Sequence, residues 1–132
     1  IWSQQFGPSG PDNASGITAD STGIYVAGSL SFAHSGFIYK YDRNGNKMWG
    51  QEFGQENGDF LDFYTTNAVS VDHTGVYITG GLPATSLDPD DGSSRFDAYV
   101  RKYDTNGNEL WNRQFGSSTY DSGKGISATD NG

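Results

Sequence analysis

The sequence predicts an all-β chain built from repeated four-stranded antiparallel units, and three observations predict it. The stretch YDRNGNKMWGQEFG at 41–54 returns as YDTNGNELWNRQFG at 103–116, with Tyr, Asp, Asn, Gly, Asn, Trp, Phe and Gly kept in place. GITADSTGIYVAG (16–28) likewise returns as AVSVDHTGVYITG (68–80). No stretch places apolar residues at helical spacing over three turns; short runs rich in Ile, Val, Tyr, Phe and Trp alternate with Gly, Asn and Asp clusters instead.

Each unit reads as four strands in order. Strand a covers Gly16–Ala19 and Ala68–Val71, where small and β-branched residues precede an Asp-x-Thr-Gly turn. Strand b covers Ile24–Ser29 and Val76–Gly81, and strand c covers Phe37–Tyr41 and Tyr99–Tyr103. Strand d covers Lys47–Phe53 and Glu109–Phe115, after an Asp-x-Asn-Gly-Asn turn. Asn-Gly tolerates the positive φ that tight hairpins need, and the preceding Asp can bond the backbone two residues on. By the period of two, Trp49, Gln51 and Phe53 share one face of strand d, as do Trp111, Arg113 and Phe115. WSQQFG at 2–7 has the same spacing, and GISATDNG at 125–132 begins a third strand a.

Four antiparallel strands recurring every ~40–50 residues are the mark of β-propeller blades. The chain then divides into the outer strand of a preceding blade (1–7), two complete blades (8–54 and 55–116) and the first strand of a following blade (117–132). That is about two and a half blades, against the four to eight of closed propellers. Two apolar blade faces would be left in water. The expected partners are therefore further blades of the same protein or other copies of the chain, meeting head to tail in a ring or an open stack.

The residues W-x-x-x-F-G, then a strand ending in D-x-x-G, then (I/V)-Y-(V/I)-x-G, then K-Y-D-x-N-G-N-x-x-W, resemble the SBBP-type β-propeller repeat over nearly the whole chain. Asp97 matches a common position of that family, where the first repeat has Ser35. The resemblance implies a bacterial or archaeal protein, extracellular or on the cell surface. The D-x-x-G-x-x-x-W spacing of Asp42/Gly45/Trp49 and Asp104/Gly107/Trp111 is also similar to quinone-cofactor propeller repeats, where it implies structural docking and not the cofactor.

Composition narrows the partners. A net charge of −8 over 132 residues disfavours nucleic acid, which needs a basic face, and an anionic membrane surface. Apolar runs are too short to insert into a bilayer. Without cysteine there is no disulfide and no thiolate metal site. The chain opens at Ile1 without a Met or an apolar leader, so a targeting signal is expected to be removed or to lie outside it.

Alternation places the a–b and c–d turns at one edge of each unit and the b–c and d–a connections at the other. The second edge varies in length and is where recognition is expected. Phe60, Phe63 and Tyr64 in GDFLDFYTTN, and Tyr120, are the candidate contacts for a glycan or a surface protein. Asp88, Asp90 and Asp91 in LDPDDGSSRFD offer oxygens on a Gly-containing turn, an imperfect Ca²⁺ loop with Asp97 beyond. Asn13-Ala14-Ser15 is an N-glycosylation triplet expected on a loop. Asp12 and Asp121 stand at matching places before strand a, which favours turn roles. His34 and His73 are isolated. No nucleophile–His–acid set, phosphate loop or metal-spaced His pair is recognisable. The expected function is a non-enzymatic extracellular module for structural assembly or for protein or glycan binding, without a cofactor unless Ca²⁺. The alternative is a propeller enzyme, a hydrolase, lyase or quinone-dependent dehydrogenase, with its active site in other blades.

Overall fold

The computed structural model describes residues 1–5, 7, 10–31, 34–54, 64–84, 95–117 and 120–130. Its eight strands are β1 (Asn13–Ala19), β2 (Ile24–Leu30), β3 (Ser35–Tyr41), β4 (Lys47–Phe53), β5 (Thr65–Asp72), β6 (Gly75–Pro83), β7 (Phe96–Tyr103) and β8 (Glu109–Phe115). They form two antiparallel meanders, β1-β2-β3-β4 and β5-β6-β7-β8. The all-β class and the four-strand units follow the expectation, and β4 and β8 have the bounds expected of strand d.

The first strand of each sheet starts earlier than expected, at Asn13 and Thr65. In each, the ladder crosses a bulge: Ala14 pairs Gly28 and Gly16 pairs Ala27, while Thr66 pairs Gly80 and Ala68 pairs Thr79. The skipped residues, Ser15 and Asn67, break the polar–apolar alternation on which the expected bounds rest.

The c–d turns also differ in detail from a turn with two positive-φ residues. Gly45 and Gly107 have φ of 84° and 91°, whereas Asn44 and Asn106 stay out of the left-handed region. Gly45 N–H donates to Asp42 C=O and the register slips between Lys40 and Tyr41, as in a type I turn closed by a glycine bulge. The Asp42 carboxylate explains the choice, because it accepts from the N–H groups of Asn44 and Asn46 and from the Asn46 amide, at 2.8, 2.9 and 2.8 Å. Asp104 repeats all three bonds with Asn106 and Asn108.

The main core lies between the sheets. Tyr25, Ala27, Ile38 and Phe53 of the first meet Val76, Ile78, Leu82, Tyr99 and Tyr103 of the second, with Trp49, Tyr64, Val69 and Val71 around them. At ~25 cal/mol per Å² of apolar surface, this burial is the main term holding the sheets together. A smaller cluster, Leu30, Phe37, Tyr39 and Tyr41 with Val26, covers the far face of the first sheet. Hence β3 is buried along its whole length, while β8 is exposed along its whole length.

Among the described residues, those in 1–7 and 117–132 join no ladder. They are nonetheless fixed. Trp2 and Gln4 bond to Arg43 and Gly45. Residues 121–128 run beside β5 and β6, with Gly123 N–H on Gly80 C=O and Ala128 N–H on Ser70 Oγ. Asp121 N–H donates to Phe96 C=O, just as Tyr64 N–H donates to His34 C=O one unit earlier.

Candidate functional site

The residues singled out from the sequence do not come together in one place. Phe60, Phe63, Asp88, Asp90 and Asp91 lie outside the described residues. Tyr64 is half-buried and edge-on to Phe53, with ring centroids 6.3 Å apart, so its ring forms part of the core between the sheets. Tyr120 is 63% exposed and leans on Phe96 at 4.9 Å. Asn13 is exposed but opens β1 instead of sitting on a loop, and its amide donates to Ser15 Oγ.

The matched aspartates serve connections. Asp12 accepts the N–H of Ser31, and Asp121 accepts the N–H and hydroxyl of Ser117. Asp97 accepts the Gln114 amide at 2.7 Å. The buried hydroxyl of Ser35, at the matching place, has no hydrogen-bond partner among the described residues. His34 is the one described non-glycine residue with positive φ, 52°. His73 is exposed and pairs with Asp130 at 3.2 Å.

The short turns gather at one edge, as alternation requires. A hollow of about 570 Å³ there is lined by Asp20, Thr22, Asp72, His73, Thr105 and Asp130, among others. Asp20 Oδ1 already accepts the Thr22 N–H, the Thr22 hydroxyl and the Gly23 N–H, and Asp72 Oδ1 accepts the same two groups of Thr74. The buried Lys40 ties this edge across the sheets. Its Nζ donates to Thr22 Oγ1 and to Thr105 C=O, each at 2.8 Å, and lies 5.0 Å from the Tyr25 ring centroid. Lys102 repeats the bond to Thr74 and the position over Tyr77. The sequence reading gave Lys40 no role; a Lys just before the last Tyr of both strands c, with Thr in both a–b turns, was the signal.

The rim formed by β4 and the c–d turns carries the most specific geometry. Trp49 of β4 donates its indole N–H to Thr105 C=O at 3.0 Å, and Gln51 donates to Gly107 C=O at 2.9 Å. The Trp49 ring covers Gly107, where a methyl group would come within 2.8 Å of it. Two residues further along β4, Phe53 meets Tyr99 edge-on at 5.8 Å and takes the Arg101 guanidinium over its ring at 4.5 Å. Arg101 is held by Glu109 at 2.9 Å. A hollow of about 430 Å³ lies between Gln51, Phe53, Arg101, Tyr103 and the turn at 107–109. Burial pushes the Tyr103 hydroxyl up to about 12 and raises that of Tyr99 further, so both stay neutral.

Trp2 and Gln4 make the first half of this contact on the preceding turn, with Trp2 on Arg43 C=O at 2.9 Å and Gln4 on Gly45 C=O at 2.8 Å. The rim thus holds a plug, a Trp and a long polar side chain two residues on, seated in a socket, the Asn-Gly turn of the next unit.

The four turn aspartates set an acid limit. Side-chain and backbone hydrogen bonds from Asn46 and Asn108 hold Asp42 and Asp104 below the ordinary 3.8. Burial pushes Asp20 and Asp72 up, but bonds from Thr22 and Thr74 outweigh it and leave both lowered. A carboxylate with a lowered folded pKa contributes stability above its unfolded value and loses it as pH falls through the folded one. The melting temperature should therefore change little from these groups between neutral pH and about 4, then fall. Asp42→Asn with Asp104→Asn should flatten the acid limb; a limb unchanged by the pair would contradict this assignment.

No family model matches this sequence, and no curated protein matches it.

Proposed function

We propose that the two sheets are successive blades of a propeller-type repeat of the SBBP kind, and that the chain is a non-enzymatic structural module of an extracellular or cell-surface protein. Its work is to stack sheets face to face. The observation that carries this reading is recurrence. The Asp turn boxes, the Lys–Thr–Tyr edge contact and the Trp–Gln rim contact are each made twice, so the polar side chains that a unique site would need serve the repeat. The b–c and d–a connections, which differ in length between units, are the surface left for a protein or glycan.

A stacking module should self-associate end to end when concentrated. Sedimentation velocity on the full chain should show monomers giving way to larger species as protein concentration rises. The paired change Trp111→Ala, Phe115→Ala should abolish that shift without altering the far-ultraviolet circular dichroism. A wild-type chain monomeric at every concentration would count against the reading.

A further inference from the structure

One polar pair between the sheets does not recur. Where the first unit has Tyr39 and Lys47, the second has Arg101 and Glu109. Tyr39 bonds its hydroxyl to Glu52 and carries the Lys47 ammonium over its ring. Arg101 instead lies over Phe53, and its Nη1 donates to Glu109 at 2.9 Å. The two side chains are only 19% and 32% exposed. The Arg101 Nε–H is buried and meets no acceptor among the described residues. A buried donor left unpaired is a standing cost of the fold, and each one asks for a reason. Packing does not supply it, because a Tyr fills the matching place in the first unit with its hydroxyl bonded.

The pair borders the hollow of about 430 Å³ between β4 and the second c–d turn, a size within the range of about 300–1,000 Å³ for small-molecule sites. Gln51 and Asn108 line it as well. Their amide nitrogens are already engaged, on the Gly107 carbonyl at 2.9 Å and on Asp104 at 2.8 Å. Each is thereby fixed, and among the described residues each keeps its amide oxygen as an acceptor.

We propose that this hollow binds an uncharged saccharide, with Arg101 supplying donors and Gln51, Asn108 and Glu109 supplying acceptors. A hydroxyl both donates and accepts, so a polyhydroxyl ring satisfies the two sets together. A charged ligand fits less well. Arg101 and Glu109 cancel, so an anion or a cation has to take one of them from the other, and the net charge of −8 opposes an anion further. The donors and acceptors sit on strands and on a turn closed by its own hydrogen bonds, which lowers the cost of ordering them on binding. The site is built from β4, β7 and a c–d turn, apart from the b–c and d–a connections, and it does not rest on self-association.

Nitrogen-15 NMR on the full chain reads the site directly, because the Arg101 Nε–H and the Gln51 and Asn108 amides give side-chain signals. The probes are maltose, lactose, cellobiose and diacetylchitobiose, with citrate and spermidine as charged comparators. At least one disaccharide should shift these signals saturably, with a Kd of about 1 mM or tighter, while citrate and spermidine leave them in place. Arg101→Tyr with Glu109→Lys and Asn112→Gly gives the second unit the residues of the first. The glycine is included because even a methyl group at Gly50 would crowd Lys47 and Tyr39. This variant should keep its circular dichroism and bind the sugar at least about tenfold more weakly, read on Gln51 and Asn108. Glu109→Gln is the milder change and keeps the test open if the triple variant does not fold. It leaves Arg101 uncompensated, so citrate should begin to shift the signals and the sugar should weaken.

If no disaccharide moves these signals, or if citrate or spermidine moves them in the wild type, the inference falls. It falls also if the variants bind the sugar as the wild type does. Self-association is read by sedimentation and is untouched by any of these results.

Discussion

Replacing Trp49 by alanine is expected to lower the unfolding free energy by about 3–5 kcal/mol, the range for large aromatic truncations in a core. The same change at Trp111 is expected to cost the monomer less than about 1 kcal/mol, as at most exposed sites. The two residues hold the same place in the repeat and in the sequence pattern. They differ in what lies opposite. Trp49 packs against Tyr25 at 6.1 Å, covers Gly107 and caps the Thr105 carbonyl across the sheet boundary. Its loss opens a void that Gly107 cannot fill, and removes a donor from the Thr105 carbonyl, which the Lys40 ammonium also meets. Trp111 touches Tyr77 of its own sheet at 6.2 Å and otherwise meets solvent on one side. Urea unfolding of both variants, read at unchanged slope, decides the matter. Equal losses would mean that the rim contact does not hold the sheets together, and the plug-and-socket account would go with it.

The contrast marks how far the sequence could be read. Strands β4 and β8 were legible to the residue because the Asn-Gly turn sets their start and the Trp-x-x-x-Phe spacing sets their face. The first strands of the two sheets were legible only from Gly16 and Ala68 onward. The residues before them are small and polar, and their membership depends on partners far along the chain: Thr66, for example, is buried because its hydroxyl meets the Tyr99 hydroxyl at 2.8 Å. Tyr64 read as a loop aromatic, since nothing local shows that its ring lies against Gly54 and Phe53. The aromatic alternation of strand d was visible, but not that Trp49 and Gln51 bond to carbonyls 56 residues away. Lys40 was the least legible. A charged residue inside a strand reads as solvated, and its burial becomes tolerable only because a hydroxyl, a carbonyl of the second sheet and the Tyr25 ring converge on it.

The last residue of the recurring Ile-Tyr-Val-Ala-Gly and Val-Tyr-Ile-Thr-Gly motifs supplies a second strong test. Gly80→Ala is expected to cost about 3 kcal/mol, at the upper end of overpacking in a strand interior. Gly80 faces the bulge in β5, and a methyl group there would overlap the Thr65 carbonyl oxygen. Gly28 stands the same way against the Asn13 carbonyl. Neither glycine has positive φ, so the requirement is for close backbone approach and not for an unusual conformation. The obstacle is backbone on both sides of a ladder, which can yield only by parting β5 from β6, and β5 carries Val69, Val71 and Thr66 into the contact with the first sheet. The neighbouring Gly81 is the control. A methyl there would come no closer than 3.3 Å to the hydroxyls of Ser122 and Thr65, and the first sheet already has Ser29 at the matching place, its hydroxyl accepting the Thr66 N–H. Gly81→Ala should therefore stay within about 1 kcal/mol of wild type. Chemical denaturation of the two variants compares adjacent glycines of one strand, where propensity is the same and only the opposing atoms differ. If Gly80→Ala proves as mild as Gly81→Ala, the repeated glycine is there for the turn chemistry of the motif and not for the bulge.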